Sequence, residues 1–346
     1  SGQVSPVLAD SDDVPHLALA ARAMAQIMLG RAGWPLFIFM TPGKKPIFAC
    51  SYLPKQSETP ENPGLLEVLR RIKWLWLMKR PQIDEASASY GAQLEEALSP
   101  YTAPLQEGLE ARAVEQLLEE MDLQNGGWGT APKFPQAPKL LLCSYLGRKN
   151  ETLRAHFDRS LAALFGEGLY DHLTAGFHDY CCDRQWQIPY LGKHLAQNAA
   201  VLDVFVEALK EAPNPVYREV VEDSIALLRR TLSEENGLLC SGDDVRDMDT
   251  IDRYYLWSKD EIDGLLREDS DAFCRVYGVT FEGNYSDPLT QKKTGRNVLR
   301  LAAMPGSDEN TFGIWEKNES ARRILRERRS RRKSPEKDTR ISVRAN

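Results

Sequence analysis

The chain has 346 residues and a formal net charge of −6 at pH 7, which argues against a general nucleic-acid binder because such proteins usually carry a basic excess. Its 42% hydrophobic content is enough to bury a large core, and its length suggests two domains or one large one. The best apolar runs, Leu36–Met40 and Trp74–Met78, are much shorter than the roughly 20 residues that a membrane span requires.

Cysteine usage indicates the compartment. The six cysteines show neither metal-site nor dense disulfide spacing, and no signal peptide is visible at the N-terminus. We therefore expect a soluble, cytoplasmic protein with reduced thiols and no metal or cofactor, whose partners include neither nucleic acid nor a membrane. The cysteines are Cys50, Cys143, Cys181, Cys182, Cys240 and Cys274.

The first 55 residues have the pattern of a small α/β unit. Val4–Leu8 is predicted as a short strand, and Val14–Leu29 carries apolar residues at helical spacing. Two further strands, Leu36–Met40 and Pro46–Cys50, are joined by a turn of Thr, Pro, Gly and Lys. This β-α-β-β order matches the second half of a thioredoxin-like fold.

The thioredoxin-like fold implies a cis proline and a redox motif. A cis proline precedes the first of its antiparallel strands, so we predict a cis Trp34–Pro35 bond, although X-Pro bonds in general favour trans. A redox-active member needs a Cys-x-x-Cys pair at the start of its first helix, where the helix dipole lowers the thiol pKa. No such pair occurs in the sequence. We predict a thioredoxin-like domain at 1–100 that lacks its Cys-x-x-Cys half.

From Pro63 onward the pattern is almost wholly helical. Helices of ten to twenty residues, joined by loops, favour stacked helical hairpins, as in an α/α toroid or a solenoid. The predicted helices are Leu65–Lys79, Glu110–Met121, Ala137–Gly147, Glu151–Phe165, Gly192–Glu211, Tyr217–Leu232, Lys259–Arg267 and Glu316–Arg329.

Three motifs in order resemble a known family. The segments Gly30–Pro54, Asn125–Leu142 and Leu169–Ala199 look like the successive signatures of the spermatogenesis-associated protein 20 family. That resemblance implies a thioredoxin-like domain followed by an α/α toroid of the six-hairpin glycosidase type, similar to N-acylglucosamine 2-epimerases. The expected fold class is therefore α+β, mostly α, with the N-terminal part of an α/α toroid at 101–346.

The third motif supplies the candidate site. A tryptophan there can stack on a ring, and the other polar side chains can exchange hydrogen bonds with a ligand. The same side chains can instead satisfy buried backbone groups and pack in the core, or take part in catalysis. The candidate ligand-binding residues are Asp171, His178, Asp183, Trp186, Lys193 and Asn198.

The motif departs from the family pattern at the positions best suited to proton transfer. Tyr190, Gly192 and Gln197 stand where the pattern has His, Glu and Asp, and Asp179 stands for an Arg. The resemblance also implies an acidic loop, present here as Gly242–Val245, followed by an aromatic strand at Asp252–Trp257. The sequence therefore assigns no catalytic residue. We expect a non-redox, catalytically degenerate family member that binds a carbohydrate-like ligand or a protein partner at the toroid mouth.

Two other functions stay open. One is an active carbohydrate-modifying enzyme, epimerase- or glycosidase-like, whose acid and base come from Asp171, His178, Asp183 and Asp243 or Asp244. The other is a thiol redox protein, provided that the complete gene product has an upstream Cys-x-x-Cys.

Smaller features complete the predictions. Lys133, in the second motif, is expected in an ordered loop rather than at a ligand. The basic run Arg322–Lys333 is expected to form a solvated helix face, with nucleic-acid or membrane contact as the alternative. We also expect the sequence to be part of a longer polypeptide, whose toroid is completed by further residues, self-association or a partner chain.

Overall fold

A computed structural model describes residues 4–11, 13–30, 33–57, 63–100, 104, 107–288, 290, 292–302, 318–343 and 345–346. The chain forms two compact units, Ser1–Leu105 and Gln106–Asn346. The fold is mostly α, as predicted, with short strands. Within the described ranges, no helix is both long enough and apolar enough to cross a membrane.

The first unit contains a β-hairpin packed against helices. Helix α1 (Pro15–Leu29) starts with a proline and ends at Gly30, whose φ of 69° is the left-handed conformation that commonly closes a helix. The antiparallel strands β1 (Phe37–Met40) and β2 (Pro46–Cys50) follow, with Ile38 opposite Ala49. The Trp34–Pro35 bond is cis, which confirms the prediction.

The predicted strand at Val4–Leu8 is wrong. This segment has no regular structure and pairs with no described strand. The Val7 and Leu8 side chains are 87% and 101% exposed. Because a strand needs partners and a buried face, the apolar pattern alone does not form one.

The unit continues with two helices where the sequence pattern predicted one. Helix α2 (Leu65–Met78) ends as expected before Pro81, but α3 (Arg80–Leu98) follows at once. Pro81 lies in the first turn of α3, where its missing N–H would have no helical partner anyway. The proline therefore begins a helix as well as ending one, and α3 packs against α1 and β2.

The second unit is built mainly of helices, and most of the predicted ones are present. They are α4 (Leu109–Glu119), α5 (Ala137–Gly147), α6 (Glu151–Gly166), α7 (Leu195–Glu211), α8 (Pro215–Leu232), α9 (Met248–Tyr255), α10 (Lys259–Leu266), α11 (Ser270–Val276) and α12 (Glu319–Ser330). A 3₁₀ turn, Arg267–Asp269, joins α10 to α11. The predicted helix start at Glu316 lies outside the described residues.

The core of the second unit lies among its central helices. Helix α5 packs on α6 and α7, and α7 packs on α8. Phe157 and Phe205 are fully buried there, and the loop between α6 and α7 joins the same core through Tyr170 and Phe177. Two short antiparallel pairs complete the unit, β3 (Tyr180–Cys181) with β4 (Pro189–Tyr190) and β5 (Gly242–Asp243) with β6 (Lys337–Asp338).

Two predictions near the site are corrected by this fold. Helix α7 begins at Leu195 rather than at Gly192, because Gly192 has a φ of 124°, outside the helical region. The aromatic strand implied by the resemblance at 252–257 is also wrong, because α9 extends through Tyr255. Asp247 caps that helix, its Oδ1 accepting a hydrogen bond from the Thr250 N–H at 3.2 Å.

Candidate functional site

A buried carboxylate lies where the loop between α6 and α7 meets the C-terminal helix α12. Asp171 Oδ2 accepts hydrogen bonds from Lys193 Nζ at 2.7 Å, Arg329 Nη1 at 2.6 Å and Thr174 Oγ1 at 2.6 Å. Its Oδ1 accepts one from the Leu173 N–H at 3.1 Å. We call Asp171, Thr174, Lys193 and Arg329 the Asp171 cluster.

All three Lys193 donors of this cluster are already used, whereas Arg329 Nε is buried with no hydrogen-bond partner among the described residues. Lys193 Nζ, whose side chain is 7% exposed, donates to Asp171, to Thr174 Oγ1 at 3.1 Å and to the Ala175 carbonyl at 2.6 Å. An ammonium has three protons, so none is left for a ligand. Arg329 Nη2 donates to the Tyr255 carbonyl at 3.1 Å.

The ionisation of the cluster follows from burial and pairing. Burial alone would raise the pKa of Asp171, but the Arg329 and Lys193 charges outweigh it and hold that pKa well below its usual range. Burial lowers the pKa of Lys193, and the Asp171 carboxylate opposes that change. The cluster is therefore a buried ion-pair network in which two cations surround one ionised carboxylate.

His178 lies beside the cluster and contacts the backbone of Gly192. Its Nδ1 is 3.2 Å from both the N–H and the carbonyl oxygen of Gly192, so the tautomer decides which of the two it pairs with. The ring packs edge-on against Tyr255, with centroids 4.8 Å apart. Burial, followed by the nearby Lys193 charge, lowers the pKa of His178 to about 3. His178 is therefore a neutral, buried side chain at pH 7.

Asn198, on the first turns of α7, holds the preceding loop in place. Its Oδ1 accepts from the Phe177 N–H at 2.7 Å. Its Nδ2 donates to the Phe177 carbonyl at 2.8 Å and to the His194 carbonyl at 2.9 Å. The amide is fully buried, and its contacts are those of a backbone clamp.

Asp183 and Trp186 belong to a different part of the unit. The Asp183 carboxylate accepts hydrogen bonds from the backbone N–H groups of Gln185, Gln187 and Ile188 at 2.7–3.1 Å, which closes its own loop. Trp186 is 1% exposed and donates from Nε1 to the Asn125 carbonyl at 3.1 Å. The structure therefore gathers Asp171, His178, Lys193 and Asn198, and leaves Asp183 and Trp186 outside this group.

Lys133, which the sequence places in an ordered loop, has its Nζ in a second buried ion pair. The ammonium donates to Asp122 Oδ2 at 2.6 Å and to the Arg184 carbonyl at 3.1 Å. Arg184 also donates from Nε to Asp122 Oδ2 at 2.8 Å. Lys133 is fully buried and lies 5.3 Å from the centre of the Trp186 ring. Asp122 was missed because nothing in its local sequence distinguishes it from a surface acid.

The two acidic-loop candidates have different surroundings. Asp243 Oδ2 accepts from the Lys193 N–H at 3.0 Å and from the Tyr255 hydroxyl at 2.7 Å, next to the Asp171 cluster. Burial raises the pKa of Asp243. Asp244 instead pairs with the exposed Arg246. Only Asp243 therefore belongs to the buried network.

A histidine–carboxylate pair was missed by the sequence analysis. His194 Nδ1 is 2.6 Å from Asp179 Oδ2, and both side chains are about one-quarter exposed, at 29% and 23%. Burial lowers the pKa of His194, but the hydrogen bond and charge of Asp179 outweigh it, so the pKa is raised. Asp179 was noted only as a departure from the family pattern. Its partner, fifteen positions away, carries no signal of its own.

Aromatic rings adjoin this pair. Tyr180 stacks on Tyr190 with centroids 5.0 Å apart and planes inclined by 9°, and Phe134 stacks on Tyr180 at 4.7 Å. Phe134 is 46% exposed. We call Phe134, Tyr180 and Tyr190 the aromatic stack. Tyr190, which replaces the histidine of the family pattern, therefore has a packing role.

Gly192, at the position of the family's glutamate, has little room for a side chain. Its φ of 124° is strained for any L-residue, and an added Cβ would lie 2.5 Å from Val245 Cγ1. The backbone here approaches the acidic loop closely. At this position the backbone conformation leaves no room for the glutamate of the family pattern, because a side chain would collide with Val245.

The basic C-terminal run does not form a simple solvated face. Arg322 and Arg329 are each 2% exposed. Arg332 donates from Nη1 to the carbonyls of Arg253, Tyr254 and Leu256 at 2.9–3.0 Å, at the end of α9. Cations favour helix C-termini because the last carbonyls lack partners there. The expectation of a solvated face is therefore wrong for these arginines, which fasten α12 to the rest of the unit.

The described residues contain no group of three His, Cys, Asp or Glu side chains that could hold a metal ion. All six cysteines are free. Burial raises the pKa of the Cys182 thiol to about 11, and burial also raises that of Cys50. Both thiols are therefore protonated at neutral pH.

Comparison with known proteins agrees with the fold and the motifs. A family profile described as "Thioredox_DsbH: Protein of unknown function, DUF255" matches residues 3–95. The chain is 28% identical to spermatogenesis-associated protein 20 of Mus musculus and 26% identical to that of Homo sapiens, each over 85% of this chain. It is also 24% identical to an uncharacterized protein of Caenorhabditis elegans, over 96% of this chain and 49% of that protein.

The chain spans 41% of the length of the mouse and human relatives. Because this match covers 85% of the chain, it extends beyond residues 3–95, which the family profile covers, into the helical unit. The three motifs, the cis proline and these similarities agree. The chain is therefore similar to the spermatogenesis-associated protein 20 proteins, and its N-terminal residues 3–95 match a thioredoxin-like family profile.

Proposed function

We propose that this chain is a non-redox, catalytically degenerate family member that binds a carbohydrate-like ligand or a protein partner. The helical unit would be the N-terminal part of an α/α toroid, completed by further residues, self-association or a partner chain. In this proposal the buried polar side chains stabilise the site, and the ligand contacts come from its partly exposed rim. We also propose a cytoplasmic location, which suits the free thiols.

The Asp171 cluster is the observation that carries the proposal. A general acid or base works best with a pKa near the operating pH. The pKa of Asp171 is well below its usual range, and that of His178 is about 3. Asp171 also accepts from Lys193 and Arg329 with little solvent access. These residues are better suited to structural pairing than to proton transfer.

The aromatic stack supports the binding part of the proposal. Its outer ring, Phe134, is half-exposed, and its other two rings, Tyr180 and Tyr190, lie on the short β3–β4 ribbon within the family's motif. Aromatic faces offer large, rigid apolar area at low entropic cost, and the apolar face of a sugar ring can pack on them. Asp179 and His194 supply polar groups for hydroxyls.

A ligand panel tests the proposal. We expect neutral and N-acylated sugars to raise the melting temperature without being converted to any product by chromatographic assay. Phe134→Ala should abolish that thermal shift. Phe281→Ala is the matched control, because Phe281 is an exposed phenylalanine, at 69%, in the same unit. Turnover of a sugar, or a ligand-induced shift unchanged in Phe134→Ala, would contradict the proposal.

One observation favours an active carbohydrate-modifying enzyme as a second candidate. The Asp179–His194 pair has the geometry of a base oriented by a carboxylate, and the pKa of His194 is raised. Asp243 adds a carboxyl group whose pKa burial raises. This candidate requires sugar turnover that falls at least about 100-fold in His194→Gln, the lower end of a general base's contribution. Retained turnover in that variant, with an intact fold, would exclude His194 as the base.

A further inference from the structure

A separate surface cavity in the helical unit concentrates positive charge. The cavity has a volume of about 380 Å³, within the roughly 300–1,000 Å³ range of small-molecule sites. We call it the basic cavity, and its lining residues are Thr250, Arg253, Glu261, Arg296, Arg332 and Lys333. None of them belongs to the Asp171 cluster or to the aromatic stack.

The charges around the basic cavity do not balance. Four of the lining side chains are cationic and one is a carboxylate, in a chain whose net charge is −6. That carboxylate, Glu261, is already paired with Arg332 at 2.8 Å and with Arg328 at 3.6 Å. Like charges held together repel unless an anion compensates them. The lining side chains therefore carry a surplus of positive charge, although Asp247 pairs with Lys333 and Asp252 interacts with Arg296 from outside the lining.

Two of the arginines are available to a ligand. Arg253 and Arg296 are exposed, and neither guanidinium donates a hydrogen bond to any other residue in the described part of the chain. The Lys333 side chain is 70% exposed, and its Nζ lies 3.7 Å from Asp247 Oδ2 and 3.4 Å from Thr250 Oγ1. Exposed pairs of this kind contribute little stability, so an incoming anion displaces them at small cost.

Arg332, on the wall of the basic cavity, is held in place by several contacts. The Arg332 guanidinium lies 3.6 Å from the centre of the Trp257 ring, and its nitrogens bond to three backbone carbonyls and to Glu261. Trp257 is fully buried. Arg332 is thus a fixed positive wall, a condition for a precise binding site.

We propose that the basic cavity binds a compact polyanion through phosphate-type oxygens. The guanidinium forks of Arg253 and Arg296 match the geometry of a phosphate group, and Lys333 adds a point charge. The Thr250 hydroxyl lies on the same wall. This inference goes beyond the binding function proposed above and does not depend on it. It involves a different surface from the aromatic stack.

Calorimetric titration of the full chain tests the inference with three probes: inorganic pyrophosphate, glucose 6-phosphate and glucose. We expect saturable binding of both anions at one site. Tighter binding of glucose 6-phosphate would assign the site to a sugar phosphate, and tighter binding of pyrophosphate would assign it to a free phosphate compound. The Arg253→Gln/Arg296→Gln double variant should weaken anion binding at least about tenfold, because it removes two charge-assisted donors.

The matched control is the Arg218→Gln/Arg229→Gln double variant on α8, which removes the same charge from exposed positions outside the cavity. We expect its anion affinity to stay within about twofold of the wild type, since exposed charges are strongly screened. Absence of saturable anion binding in the wild type, or equal weakening in both double variants, would overturn the inference. Binding of neutral sugars and their dependence on Phe134 are measured separately, so either proposal can fail alone.

Discussion

Arg329 donates a hydrogen bond from Nη1 to Asp171 Oδ2 over 2.6 Å, although 158 positions separate the two residues in the chain. Both side chains are almost completely buried, at 2% and 4% exposure. The contact joins the last helix to the loop that carries the family's third motif. Arg329 is therefore part of the core, although the basic run that contains it resembles a solvated surface in the sequence.

The first prediction concerns that contact. Arg329→Met should lower the free energy of unfolding of the helical unit by about 1.5–3 kcal/mol, because it removes a buried charge-assisted hydrogen bond to Asp171, which keeps Lys193, and a donor to the Tyr255 carbonyl. Denaturant unfolding followed by far-UV circular dichroism measures the loss. Arg331→Met is the control, since Arg331 is exposed on the same stretch and its replacement should cost about 0.5 kcal/mol or less. Similar losses in the two variants would contradict a structural role for the Asp171 cluster.

The second prediction concerns pH. The pKa of His178 is lowered by burial to about 3 in the folded chain, against an ordinary value of 6.5. Between these values the unfolded state binds more protons than the folded state, so stability rises with pH in this window and falls as the solution is acidified. Near the middle of the window His178 contributes a slope of about 1.4 kcal/mol per pH unit.

Replacing that histidine should flatten the pH profile. The free energy of unfolding of His178→Gln, measured from pH 4 to pH 7, should lose the contribution of one proton relative to the wild type. If the wild type and His178→Gln have parallel profiles, His178 is not buried and neutral.

A third prediction concerns Gly242 in β5. Its φ is 148°, and an added Cβ would collide with the backbone carbonyl oxygen of Lys193. Gly242→Ala should therefore destabilise the unit by more than the roughly 1 kcal/mol expected of an unfavourable φ alone. Gly237→Ala separates the two effects, because Gly237 has a φ of 79° but open space around its Cα. Equal unfolding energies for the two variants would show that the close approach to Lys193 is absent.

The fourth prediction concerns the buried amide of Asn198. Asn198→Leu leaves the N–H and carbonyl of Phe177 without partners, and each unsatisfied buried group costs about 1–3 kcal/mol. Hydrogen exchange should show faster opening of the loop before α7 in this variant. Gln197→Leu is the neighbouring control, at a half-buried position with no such clamp, and should exchange at the wild-type rate. Unchanged protection of Phe177 in Asn198→Leu would refute the clamp.

Much of the local structure could be read from the sequence. Helices such as Ala137–Gly147 were predicted at their observed bounds, and the cis bond before Pro35 followed from the order of elements around it. Periodicity and proline position act over a few residues, so they leave a local signal. Where the signal was ambiguous, at Pro81, the predicted helix end was correct but the next helix was missed.

The candidate site could be predicted only in part from the sequence. Asp171, His178, Lys193 and Asn198 were selected for their chemistry, and the fold brings them together. Asp183 was selected on the same grounds, yet it only closes its own loop. A motif shows which residues occur near each other in the chain. It does not show whether their polar atoms face a ligand or the backbone.

The sequence by itself indicated the family resemblance, the mostly α fold class and the positions of most helices, because these depend on short-range patterns and ordered motifs. The tertiary structure alone decided that Arg329 neutralises Asp171, that His194 meets Asp179, and that Arg253 and Arg296 share a cavity. The physical reason is that burial and charge pairing depend on contacts between distant segments. A basic or acidic residue looks the same in the sequence whether the fold leaves it in water or encloses it with its counterion.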